Sequence, residues 1–363
     1  VILVTGATGR TGSAVVHQLL EAGYPARAVV RRLDPRSDRL RAAGAEVVVA
    51  DLFDPEQLLG AMRGVARAYF CPPFHAHMLT SAAAFAVAAR EARLESVVAL
   101  TQWLAAPAHP SLSTRQHWLA DQLFTMLPGV AATTVAPGFF ASFPFLELID
   151  YAALLGVYPM PVDGESRNAP PSDEDIARVA VAALIDPARH AGNTYRPTGP
   201  VMLSVNEMTR IMGRVVGRRV RHVRVPMWMF LKAARMGGLD PFLLSQLPAY
   251  IADQDGGAFA LGGATDHVLE VTGRQPEDFE TVARRYAAQP RAQRTVGNTL
   301  RALGAFMTVP VRPGMDTARY AQRQGFPLPS APRPAMADAQ WRERRELAAQ
   351  SPKAPLLRVA ASA

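Results

Sequence analysis

The chain opens Val1-Ile2-Leu3-Val4-Thr5-Gly6-Ala7-Thr8-Gly9-Arg10-Thr11-Gly12, and this stretch decides the fold. A short apolar run rich in branched residues reads as a buried strand, and three glycines in G-x-x-G-x-x-G spacing follow at once. Val15, Val16, Leu19 and Leu20 then fall on one helical face that stops at Gly23. A strand that bends straight into a helix needs glycine at the bend. Gly6 permits the turn, Gly9 lets backbone amides approach a pyrophosphate, and Gly12 lets the helix lie close on the strand. The amides between Thr8, Arg10 and Thr11 then offer oriented N–H groups and a partial positive charge to phosphate oxygens. The expected ligand is a pyridine dinucleotide.

Working outward, apolar runs recur at 26–31, 46–50, 66–71, 96–101 and 131–136, with helical spacing between them. Strands apolar on both faces suit a parallel sheet covered by helices, so the expected fold is α/β, a Rossmann-type doubly wound parallel sheet. We expect a dinucleotide-binding domain at 1–150 and a smaller, mostly helical substrate-side lobe at 151–289 that completes it. Residues 290–363 hold nine of the 30 prolines and read as a partly ordered, extended basic tail.

Charge divides the chain in the same place. Residues 1–289 balance 27 Lys and Arg against 27 Asp and Glu, whereas 290–363 carry 12 against 4. The net +8 is therefore a property of the tail, and with few aromatics among its arginines it argues against a nucleic-acid partner. A single cysteine, Cys71, excludes an intrachain disulfide framework and suits a reducing cytoplasm. No apolar run reaches the ~18 residues of a membrane span, and a strand at Val1 leaves no leader to expect, so a soluble cytoplasmic protein is the reading.

The second strand bears on which dinucleotide binds. An NAD site places a carboxylate at its end, but here the strand runs into Arg31 and Arg32, with no acid before Asp34. Guanidinium groups match a 2′-phosphate, so NADP(H) is favoured over NAD(H), with Arg10 able to join from the turn. Arg32 reads equally as a solvated charge. Asp51 and Leu52 stand where an adenine edge would be met, although Asp51 serves equally as a helix cap. Cys71, Pro72 and Pro73 should run beneath the ribose, with Cys71 read as a packed small residue. Thr101, Gln102 and Trp103 follow the fifth strand into the expected cleft. His75 and His77 lack a carboxylate at ligand spacing, so no metal site is expected.

These motifs resemble the NmrA-like family of atypical short-chain dehydrogenases/reductases over roughly residues 1–289. The likeness rests on Thr5–Gly12, on Val-Val-Arg-Arg at 29–32, on Ala-Asp-Leu at 50–52 and on Ala-Pro137-Gly138-Phe139-Phe140. It also rests on Thr-Gly-Pro at 198–200 and Thr-Gly-Arg-Gln-Pro-Glu-Asp-Phe at 272–279. The resemblance implies that Pro137, Gly138 and Phe139 flank the nicotinamide and that Phe139, Phe140 and Phe143 stand on the wall of a substrate pocket, which Gln102 and Trp103 would join from the end of the fifth strand; by residue type alone an aromatic cluster after a strand reads as core. Dehydrogenases of this kind pair a Tyr with a Lys four residues on, yet no lysine precedes Lys232. By the family pattern His117 stands near the lysine position, Ser113 at the tyrosine, and Asp121 beyond. His117 and Thr101 are thus the catalytic candidates, against the plainer reading of His117 as a solvated or capping residue; His109 is a further candidate at the cleft mouth. Two functions follow. One is an NADPH-dependent oxidoreductase passing hydride to a small apolar acceptor, such as a quinone, azo compound or activated carbonyl or alkene. The other is a non-catalytic redox sensor that docks a regulatory protein partner. Either is compatible with a homo-oligomer.

Overall fold

A computed structural model describes residues 1–351. The first six strand–helix units are β1 (Ile2–Val4), α1 (Arg10–Glu21), β2 (Ala26–Val30), α2 (Pro35–Ala42), β3 (Glu46–Val49), α3 (Pro55–Ala61), β4 (Arg67–Phe70), α4 (Met78–Glu91), β5 (Ser96–Leu100), α5 (Leu112–Thr125), β6 (Ala131–Val135) and α6 (Ile149–Leu155). Next come β7 (Val157–Met160), β8 (Arg167–Asn168), α7 (Asp173–Ile185), α8 (Pro187–His190), β9 (Thr194–Tyr195), β10 (Leu203–Ser204), α9 (Val205–Val215) and β11 (Arg221–Arg224). The rest of the described chain is helical: α10 (Met227–Met236), α11 (Pro241–Asp255), α12 (His267–Thr272), α13 (Phe279–Ala287), α14 (Val296–Thr308), α15 (Thr317–Arg323) and α16 (Ala339–Gln350).

Seven strands form one parallel sheet in the order β3-β2-β1-β4-β5-β6-β9. The order reverses between β1 and β4, and ligands of such sheets sit beyond the carboxyl ends at that switch. One face packs on α1 and α7 through Val15, Val16, Leu19, Ile176 and Ala180; the other packs on α3, α4 and α5 through Leu58, Phe85, Ala89 and Phe124. Burial on both faces explains why these strands read as continuous apolar runs. Because α7 covers α1 and β9 extends the sheet, the nucleotide-binding unit draws on residues beyond 150.

A third core joins the second lobe to the sheet's carboxyl edge through Trp103, Phe139, Phe145, Phe259 and Trp341. Small ladders, β7 with β11 and β8 with β10, brace it. The segment expected to trail as an extended basic tail is instead helical over much of 290–351 and folds back on the molecule. Trp341 and Arg345 of α16 are buried, α14 lies on α6, and α15 lies on α11. The reason is an apolar and hydrogen-bonding face that composition alone conceals. The last twelve residues of that expected tail, 352–363, lie outside the described residues. No described helix is long and apolar enough to cross a membrane.

Candidate active site

The glycine turn leaves β1 with Gly6 in a left-handed conformation, φ 60°, a region that side chains rarely enter. Gly9 N–H closes the turn on the Gly6 carbonyl at 2.8 Å and then serves as N-cap of α1. Lacking a side chain, Gly9 gives the helix no side-chain cap, and the first turn holds no acid. Its amides therefore stay available to an anion. A Cβ on Gly12 would overlap the Gly6 carbonyl, and one on Gly6 would sit 3.0 Å from both Cβ and Sγ of Cys71. Thr8 is half-buried beside this bend and Thr11 is buried. This is a cradle shaped for close backbone approach, and the residues present fit a dinucleotide pyrophosphate.

Thr5 locks the cradle to the neighbouring strand. Its hydroxyl accepts from Cys71 N–H at 2.8 Å and reaches the carbonyls of Tyr69 and Cys71 at 3.3 Å. Burial pushes the Cys71 thiol up to about 11, so the sulfur stays protonated and packs, 3.9 Å from the Thr11 hydroxyl. Pro72 and Pro73 follow it, half-buried at the carboxyl edge.

At the end of β2, Arg31 and Arg32 are exposed, and neither is held by an ion pair among the described residues. The carboxylate nearest them is committed elsewhere. Asp34 caps α2 through the amides of Arg36 and Ser37, and the Arg36 guanidinium beside it holds its pKa down at about 2. Arg10 does not join this pair. It turns to the second lobe, donating to Glu147 at 2.6 Å and to the Tyr286 hydroxyl at 2.7 Å. Asp51 accepts from Phe53 N–H at 3.0 Å and so fixes a loop, while Asp54 takes the helix-cap role; Leu52 beside it is half-buried.

Beyond β5 the chain is closed rather than open. The Thr101 hydroxyl donates to Asp121 at 3.0 Å and lies 3.4 Å from His117 Nδ1, all three buried. Burial lowers the His117 pKa to about 4 and raises that of Asp121 to about 7, Arg345 and the Thr101 hydroxyl pulling the latter back. His117 is therefore a neutral imidazole at physiological pH, neither the solvated residue nor the cationic proton donor that its sequence position allowed. Gln102 accepts from the Thr114 hydroxyl at 3.0 Å, and the Ser113 amide donates to Gln246 at 3.2 Å. Trp103, expected on a pocket wall, is core: fully buried, it donates to the Ala258 carbonyl, and the guanidiniums of Arg196 and Arg345 lie 3.9 and 4.9 Å from its ring centroid. His109 is also internal, bonded to Asp253 at 2.6 Å.

The cover over this region comes from α16, the last helix among the described residues. Trp341 donates to the Trp103 carbonyl at 3.3 Å, and Arg345 reaches the carbonyls of Gln102 and Ala105 at 3.5 and 3.4 Å. After β6, the Pro137 carbonyl accepts from Trp103 N–H at 2.9 Å, and Gly138 is small because a Cβ would meet the Phe259 ring at 2.9 Å. Phe139 stacks on that ring with centroids 4.8 Å apart, as core, whereas Phe140 is half-buried and Phe143 lines a cavity of about 360 Å³. The His75 and His77 rings lie tilted at 49° with centroids 5.5 Å apart, and no group of three metal-binding side chains forms among the described residues. Sequence patterns did not reveal Glu147, Tyr286, Trp341 or Arg345, because each acts on a partner more than 100 residues away.

Comparison with known proteins agrees with this geometry. The model of the NmrA-like family matches residues 1–98. An NAD(P)H azoreductase of Xenophilus azovorans is 34% identical over 297 residues, covering 79% of this chain and 98% of that protein. Two solved structures share the fold. The NADPH-dependent quinone oxidoreductase of Escherichia coli, complexed with NADPH, has a TM-score of 0.67 at 20% identity, over 78% of this chain and 99% of that one. The Citrobacter sp. triphenylmethane reductase complexed with NADP(H) has a TM-score of 0.66 at 22% identity, over 77% and 98%. With the strand–glycine–helix cradle, the 3-2-1-4-5-6 strand order and an azoreductase matched over nearly its whole length, the chain belongs to the NmrA-like family.

Proposed function

We propose that the protein is an NADPH-dependent oxidoreductase that reduces a small, electrophilic apolar acceptor such as a quinone or azo compound. The observation that carries this reading is the glycine cradle at the switch point, with an uncapped helix start beside two unpaired arginines and no competing carboxylate. In this reading the amides of residues 8–12 hold the pyrophosphate and Arg31, with Arg32 beside it, meets the 2′-phosphate. Pro72, Pro73 and the Pro137–Phe139 segment shape the ribose and nicotinamide side. When bound, NADPH supplies a hydride, which with one proton from solvent reduces the acceptor by two electrons.

Acceptors of this class need little acid catalysis, which suits a chain without the Tyr–Lys pair. Thr101 is held by Asp121 and His117, so it is best placed as an orienting group. The azoreductase and quinone oxidoreductase similarities point the same way. We place the enzyme in the cytoplasm on its lone, half-buried cysteine, with residues 1–150 supplying most of the dinucleotide site and 151–289 the acceptor side. Loss of NADPH absorbance in the presence of a quinone and azo-dye panel tests the proposal. Turnover with at least one acceptor is expected; tight NADPH binding with no turnover across the panel would instead support a redox sensor acting on a protein partner.

A further inference from the structure

Helix α14 presents an apolar face that no described part of the chain covers. Val296, Leu300, Leu303 and Met307 recur along it at helical spacing, with exposures from 45 to 78%. The opposite face is anchored: Ala302 is buried, the Phe306 ring lies 6.2 Å from that of Tyr151, and α14 packs along α6. The apolar stripe is therefore held outward. Exposed Val311 continues it past the helix, and exposed Trp228 of α10 adjoins it. Lys232 links the two, donating to the Pro310 carbonyl at 3.0 Å and lying 5.0 Å from the Trp228 ring centroid. Scattered exposed apolar side chains are ordinary, but a contiguous run on adjoining elements marks a contact surface.

The charge around this face is of one sign. No Asp or Glu occurs between Glu280 and Asp316, or between Glu207 and Asp240, the two segments that build it. Arg301 lies on α14 itself, Arg312 follows Val311, and Lys232 and Arg235 lie on α10. The hydrogen bonds of Arg301, Lys232 and Arg235 go to neutral oxygens, of Asn298, Pro310 and Gly314, so their charges stay uncompensated. A second copy meeting this face across a twofold axis would bring those cations against their own equivalents, with no carboxylate between them. A specific protein partner needs directional hydrogen bonds, yet the polar side chains of α14 are spent within the chain. Thr295 accepts from the Asn298 amide, Asn298 donates to the Pro290 and Gln293 carbonyls, and Thr299 and Thr308 donate to those of Thr295 and Gly304. A fluid bilayer surface asks only for apolar depth and positive charge.

We propose that α14, Val311 and Trp228 seat the protein peripherally on an anionic lipid bilayer. The aliphatic stripe enters the boundary between headgroups and acyl chains, and Trp228 lies at headgroup level. Arg301, Arg312, Lys232 and Arg235 meet the negative headgroups. This surface is built mostly past residue 289, beyond the reach of the family resemblance, and does not depend on what the glycine cradle binds.

The test sediments the full chain with vesicles of phosphatidylcholine alone and with vesicles of equal parts phosphatidylcholine and phosphatidylserine. Binding to the mixed vesicles should be at least about tenfold tighter and should weaken as salt rises. Tryptophan emission should shift to the blue on binding, and Trp228→Phe should remove most of that shift. Leu300→Glu combined with Met307→Glu puts charge at two exposed positions and should abolish sedimentation with an unchanged urea midpoint. Val87→Glu, at an exposed apolar position on α4, should leave sedimentation intact. Arg301→Glu combined with Arg312→Glu should erase the preference for the anionic lipid. No binding to the mixed vesicles, equal binding to both compositions, binding that survives the Leu300 and Met307 changes, or an equal loss in Val87→Glu would overturn the proposal. A concentration-dependent dimer that the same double variant dissolves, without vesicle binding, would overturn it in favour of a second copy.

Discussion

At Gly12 a side chain has no room, because the Gly6 carbonyl occupies the place of its Cβ and that carbonyl is fixed by the turn. Gly12→Ala should therefore push α1 off β1 and lower NADPH affinity by more than about tenfold, at a stability cost on the order of 1–3 kcal/mol, measured by titration and urea melts. The Thr101 cluster makes a second prediction. His117 is held near pKa 4 against about 6.5 unfolded, so folding excludes its proton and its contribution to stability is lost as pH falls from about 6.5 to about 4. Asp121 is held near 7 against about 3.9 unfolded, so folding retains its proton and its contribution weakens as pH rises through the same window. The two slopes oppose each other. His117→Gln should make stability fall with rising pH between 4 and 7, and Asp121→Asn should make it rise, read from urea midpoints; parallel profiles in both variants would refute the pairing. The glycines and Arg31 were legible in sequence because their roles are local to one strand–turn–helix. The Asp121 environment was not, since part of its charge balance comes from Arg345 on a helix more than 200 residues downstream.

Among the elements, α16 departs most from its sequence. Its composition is charged, and it reads as part of a solvated basic tail, yet Trp341 and Arg345 fall on one face and both are buried. That face seals the loop after β5, with Arg333 N–H on the Ala108 carbonyl at 2.8 Å and Ala335 N–H on Asp253 at 2.9 Å extending the contact. Trp341→Ala should cost about 3–5 kcal/mol and expose Trp103, seen as a red shift of tryptophan emission with a lower urea midpoint. An unchanged midpoint would mean that α16 rests on the surface without stabilising it. The helix was missed because two long-range anchors in twelve residues leave no periodic apolar signal. By contrast, α1 and α9 announce themselves, the first by its apolar stripe and the second by the Ser204–Glu207 capping box.

Across the whole molecule, the parallel sheet is the part most fully written in local sequence, because strands buried on both faces need apolar runs whatever the partner. The second lobe is less legible: its strands are two to four residues long, and its core is assembled from loops that meet only in three dimensions. Charge follows the same division, with the balanced body carrying the cradle and the basic excess folded back over the second lobe as far as the described residues extend. The function of the molecule depends on the switch point gripping a phosphorylated dinucleotide. Calorimetric titration of the wild type and Arg31→Ala with NADPH and with NADH measures this directly. Saturable NADPH binding, weaker NADH binding, and an Arg31→Ala variant that loses about tenfold for NADPH alone are expected. Absence of heat with either dinucleotide, or equal losses for both in the variant, would contradict that grip.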